Sequence, residues 1–132
     1  MAVETETADR LGTGEQDGAL ITALAAKIGT PFWLYDGNRI ERQIERLRGF
    51  DTIRYAQKAN SNLELLRIMR RNGVKIDAVS NGEITRALAA GYEAGGDDLV
   101  FTADIFDRPT LERVAELGIP VNCGSPDMID QI

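Results

Sequence analysis

The chain has 132 residues, 43% of them hydrophobic and 27% charged, the composition of a soluble globular protein with a core of its own. A net charge of −6 argues against a nucleic-acid surface, which needs clustered Lys and Arg. The single cysteine, Cys123, permits no internal disulfide, and the chain shows neither a signal-peptide pattern nor an apolar run of the roughly 20 residues that span a bilayer. These features predict a cytoplasmic protein that binds neither nucleic acid nor membrane.

Residues 1–18 are acidic and aperiodic and read as a disordered tail. Leu20, Leu24 and Ile28 then recur at helical spacing ahead of Gly29, a suitable C-cap. The aromatic stretch "FWLYD", Phe32 to Asp36, is expected to form a short strand. Ile40, Ile44 and Leu47 mark the apolar stripe of an amphipathic helix, so residues 19–50 predict helix, strand and helix.

From Asp51 the chain settles into a rhythm. Extended runs begin at Thr52, Val74, Asp98 and Ile119, about 22 residues apart. Ser61 with Glu64, and Ser80 with Glu83, fit the capping box, while Asp107 and Ser125 are further N-cap candidates. Gly73, Gly91 and Gly118 end the helices between the strands. Strand, loop, helix, loop, strand is the grammar of βαβ units and a parallel sheet. The doubly wound sheet and the eight-stranded barrel both use it. Arg54, Lys75 and Asp77 lie within the expected strands, and the first turn is not glycine-rich; both favour the barrel, whose interior and mouth accept polar residues. A barrel takes eight units and about 250 residues, whereas residues 51–132 hold four units and close on "DMIDQI", which reads as the middle of a helix. The expectation is an α/β fold, the first half of a TIM-type (β/α)8 barrel, truncated from a longer protein.

Within "TIRYAQKAN" a period of two puts Arg54, Ala56 and Lys58 on one face and Ile53, Tyr55 and Gln57 on the other. Lys58 then stands at the carboxyl end of the first strand, where barrels build active sites. Ala56 leaves room beneath it for a flat cofactor. Asp77, sharing a face with Lys75 and Val79, is placed to meet Lys58. From the pattern alone, a structural ion pair between Lys58 and Asp77 is an equal alternative.

The segments "YAQKANSN", "GVKIDAVSNGEITRALAAGY" and "DDLVFTADIFDRPTLERVAELGIPVNCGS", in this order, resemble the N-terminal part of diaminopimelate decarboxylases. These are fold type III enzymes that use pyridoxal 5′-phosphate, and the likeness runs from about Pro31 to the last residue. The resemblance implies that Lys58 holds the cofactor as a Schiff base and that Asp77 lies near the lysine and the cofactor, both as catalytic and cofactor-binding residues. It implies decarboxylation of meso-diaminopimelate to L-lysine by a homodimeric complete enzyme with an amino-acid substrate, this chain alone being inactive, and it assigns "FWLYD" to a second, β-rich domain. The lysine chemistry is coherent, since only an unprotonated amine attacks an aldehyde and burial favours that form. The alternatives are an ornithine- or arginine-type decarboxylase of the same fold, and a non-catalytic remnant or pyridoxal-phosphate-binding module.

The sequence also departs from that family. It has no histidine to stack on a cofactor ring, and "FTAD" (Phe101 to Asp104) stands where many relatives carry "HGN". Thr102 in that stretch reads as strand packing, and Cys123 as a small buried hydrophobe rather than the family's catalytic cysteine. A glycine-rich phosphate cradle and a partner for the pyridine nitrogen are not found up to Ile132.

Overall fold

A computed structural model describes residues 15–132, which divide into two compact units with the break between Arg46 and Leu47. The tail expected over residues 1–18 falls mostly outside the described residues, and its end, from Glu15, belongs to a helix. No helix among the described residues is long and apolar enough to cross a membrane.

The first unit holds α1 (Glu15–Ile28) and α2 (Gly37–Glu45). Asp36 caps α2, its carboxylate accepting the backbone N–H of Arg39 at 3.1 Å. The strand expected at Phe32–Asp36 does not form. A strand exists by the hydrogen bonds it exchanges with a neighbour, and no described segment pairs with this one, so aromatic propensity has nothing to act on. Trp33 is 88% exposed as a result, and Leu34 and Tyr35 are exposed with it.

The second unit is a four-stranded parallel sheet in the order β1-β2-β3-β4, made of β1 (Arg54–Ala56), β2 (Lys75–Ala78), β3 (Leu99–Thr102) and β4 (Val121–Asn122). The crossovers are α3 (Leu63–Arg71), α4 (Asn81–Ala89) and α5 (Arg108–Glu116), and a 3-10 helix (Pro126–Gln131) follows β4. The register pairs Tyr55 with Ile76, Ile76 with Leu99, Ala78 with Phe101 and Phe101 with Val121. Because paired residues point to the same side of a sheet, these side chains share one face. They form the core with Leu66 of α3, Ile84 and Ala87 of α4 and Val114 of α5. Tyr92 joins it by donating its hydroxyl to the carbonyl of Val74 at 2.8 Å. Burial, and secondarily the charge of Asp98, pushes the Tyr92 hydroxyl well above its ordinary pKa, so it stays a donor.

The expected helix starts are met at two places and shifted at a third. Ser80 accepts the N–H of Glu83 at 3.3 Å, and Asp107 accepts that of Thr110 at 3.0 Å. The Thr110 hydroxyl, with its N–H, holds the Asp107 carboxyl below the usual aspartate value. At α3, however, the cap is Asn62, which accepts from Glu64 at 2.9 Å, while Ser61 donates to the carbonyl of Gln57 at 3.2 Å. A 3-10 turn after β1 displaces Ser61 from the cap position. Gly73 and Gly91, at φ of 71° and 98°, end α3 and α4 in the left-handed region as glycine C-caps do.

The core predicts its own sensitivity. Phe101→Ala removes a ring that is 1% exposed and should destabilise the chain by about 3–5 kcal/mol. Ile105→Ala, at a side chain 86% exposed, should stay within about 0.5 kcal/mol of the parent. Urea unfolding followed by circular dichroism checks both, and equal midpoint shifts would contradict this assignment of the core.

Candidate active site

The sheet face away from the core is mixed. At the amino end of the strands the paired residues Arg54 and Lys75 both bind the carboxylate of Asp97. One step along, Ala56 pairs with Asp77 and Asp77 with Val100; at the carboxyl end Thr102 pairs with Asn122. A small residue thus lies between charges below and polar groups above.

Lys58 follows this face but not as a strand residue. β1 ends at Ala56, and Lys58 is the middle of the 3-10 turn Gln57–Ala59, where it is exposed. Nothing in the described chain withdraws it from water. Asp77, half-buried on β2, is the register neighbour of Ala56, two residues before Lys58. Lys58, in the turn after β1, and Asp77, on the adjacent strand β2, therefore lie toward the same end of the sheet. No ion pair joins them among the described residues, so the structural ion pair allowed by the pattern is not formed.

The turn carrying Lys58 is tied down from several sides. The carbonyl of Gln57 accepts the N–H of Asn60 at 3.0 Å and the hydroxyl of Ser61 at 3.2 Å. Tyr55 donates to the carbonyl of Asn60 at 3.1 Å. Arg86 of α4 reaches the carbonyl of Ser61 at 3.2 Å. The loop after β2 is fixed in parallel, because the Glu83 carboxylate accepts the N–H of Val79 at 2.9 Å. That is a capping box displaced by one residue, with the carboxylate reaching past Ser80.

Two side-chain oxygens on the open face, Asp77 Oδ1 and Thr102 Oγ1, are buried without a hydrogen-bond partner. Buried polar atoms are normally paired, and these two exceptions lie on the neighbouring strands β2 and β3. Strand packing is the expectation for Thr102, which lies on β3; the unpartnered hydroxyl is a feature that the sequence pattern does not carry. Cys123, expected on the last strand and buried, lies just beyond β4 and is exposed. β4 is too short to carry it under the helix layer.

A family model described as the pyridoxal binding domain of pyridoxal-dependent decarboxylases matches residues 38–132. The chain belongs to this family. It is 64% identical over 121 residues to a diaminopimelate decarboxylase of Streptomyces coelicolor, covering 90% of this chain and 28% of that protein. A crystal structure of diaminopimelate decarboxylase superposes with a TM-score of 0.81 at 58% identity, over 84% of this chain and 27% of that one. The diaminopimelate decarboxylase of Helicobacter pylori in complex with L-lysine, at 31% identity, gives a TM-score of 0.74 over 83% of this chain and 29% of its own. The chain thus spans little more than a quarter of the length of these decarboxylases.

In a pyridoxal-binding domain, side chains kept for a ligand lower the stability of the domain without it. Thr102→Val keeps the shape and removes the orphan hydroxyl. The variant should equal the parent or exceed it by about 1 kcal/mol in urea unfolding. A loss larger than that would show the hydroxyl to be bonded within the fold.

Proposed function

We propose that this chain is the cofactor-holding part of a decarboxylase that converts meso-diaminopimelate to L-lysine. The observation that carries the reading is the 64% identity to a diaminopimelate decarboxylase over 121 residues. The L-lysine bound to the Helicobacter pylori relative supports the product class. Residues 51–132 would supply the first four βα units of a (β/α)8 barrel, with residues 19–50 leading into them. A sheet that grows in sequence order, with its helices packed on one face, supports the barrel over the doubly wound alternative, which covers both faces. A homodimer and a second, β-rich domain belong to the same proposal.

The residues present fit pyridoxal 5′-phosphate. An exposed primary amine at Lys58 and an orphan carboxylate oxygen at Asp77 stand at one end of adjacent strands, with Ala56 between them leaving space. Lys58 and Asp77 would hold the cofactor, which when bound supplies an aldehyde and an electron-accepting ring. Lys58 Nζ would react with that aldehyde as the neutral amine, since only an amine with a free lone pair is a nucleophile. The Asp77 carboxylate favours positive charge on a nitrogen beside it and orients that nitrogen through its free Oδ1. Lys58 Nζ would also carry a proton to or from the substrate.

Three experiments test this. A chimaera in which this chain replaces the matching stretch of the Streptomyces coelicolor enzyme should release carbon dioxide from meso-diaminopimelate. Borohydride reduction with cofactor present should leave the label on the Lys58 peptide; label confined to Lys75 or Lys27 would reject the site. Asp77→Asn in the same chimaera should raise the barrier by about 2 to 4 kcal/mol with an unchanged urea midpoint. A wild-type rate in that variant would return Asp77 to a structural role.

A further inference from the structure

Gln57 is fully buried, at 0% exposure, and is one of few polar residues in that state. Its amide nitrogen donates to the backbone carbonyl of Glu83, in the first turn of α4, at 2.9 Å. Its amide oxygen is buried and has no partner. A side chain selected for stability alone would not place an unpaired oxygen in the core, since an apolar residue of the same shape removes that penalty.

What the nitrogen achieves is local. Gln57 opens the 3-10 turn whose next residue is Lys58, and its backbone carbonyl accepts from both Asn60 and Ser61. The side chain pins the start of the turn to α4, and the main chain closes the turn behind Lys58. Glu83 receives this bond on its carbonyl while its carboxylate holds the N–H of Val79, two residues beyond Asp77. The loop bearing Lys58 and the loop following Asp77 are thus anchored to the same residue of α4.

We propose that Gln57 is a positioning residue that sets Lys58 against Asp77, acting through the Gln57–Glu83–Val79 connection. The inference rests on the reading of Lys58 as the cofactor-holding amine. Without the anchor, the turn samples other conformations and the amine spends less time at the place where an aldehyde meets it.

The test compares the initial rate of labelling by pyridoxal 5′-phosphate and cyanoborohydride at Lys58 with that at Lys75, by peptide mapping of the chimaera. Gln57→Met, of similar size but unable to donate, should slow labelling at Lys58 by about tenfold and leave Lys75 unchanged. Tyr92→Phe is the control for stability alone, since it removes a buried hydrogen bond in the helix layer, to the carbonyl of Val74; it should label Lys58 at the parent rate. Should Gln57→Met not fold, Ser61→Ala removes the hydroxyl bond to the Gln57 carbonyl and should slow Lys58 labelling by about threefold. Parent-like labelling of Lys58 in Gln57→Met, or in Ser61→Ala where that stands in, overturns the positioning role. So does equal slowing in Tyr92→Phe. A parent chimaera unlabelled at Lys58 overturns the functional reading and the inference with it.

Discussion

Burying Ile76, Ala78, Leu99 and Phe101 under α3, α4 and α5 decides where every other side chain of the sheet goes. Side chains alternate along a strand, so once these positions face the helices, Lys75, Asp77, Val100 and Thr102 must face the other way. The register of β1 on β2 carries the constraint across to Arg54 and Ala56. A shift by one residue would put Asp77 into the apolar layer and Ile76 onto the open face. The hydrophobic effect therefore sets the position of the polar groups, although none of them contributes to it.

The two ends of the open face are treated differently. At the amino end the Asp97 carboxylate is shared by Arg54 and Lys75, so each polar group there has a partner within the chain. Such partly exposed pairs contribute little to stability. At the carboxyl end Asp77 Oδ1 and Thr102 Oγ1 have no partner. Local stability and a vacant set of donors and acceptors are alternatives at any one position, and the sheet separates them along its strands.

The strands of the second unit and most of its helix boundaries were legible in the sequence because their signals are local. A serine, an aspartate or a glycine at a helix end acts on backbone groups a few residues away, as at Ser80, Asp107 and Gly73. "FWLYD" misled for the opposite reason: a strand needs a neighbour, and its composition names none. Ser61 and Asn62 are both competent caps, and the choice fell to the 3-10 turn before them, which period-two reading of "TIRYAQKAN" did not foresee. Lys58 and Asp77 were legible as candidates by strand position and by resemblance; the exposure of Lys58 was not, because burial depends on what covers a site. Gln57 leaves a readable trace, a polar residue on the face shared with Ile53 and Tyr55, but its partner, the Glu83 carbonyl, lies 26 residues away and no local pattern names it.

If Lys58 is the cofactor-holding amine, Gln57 would hold a site through a residue that carries no reactive group. A lysine side chain has four rotatable carbons and much conformational freedom to lose, so fixing the backbone from which it springs removes the part of the search that the side chain cannot limit. The connection uses a main-chain carbonyl of Glu83 as acceptor, a group present whatever the residue, and adds specificity only at the donor, Gln57. Since the same glutamate caps the loop beyond Asp77, motion of the first turn of α4 would displace both loops together and disturb their separation less than it disturbs either one. On the proposed reading, the pair would tolerate such motion through their common anchor rather than through any bond between them.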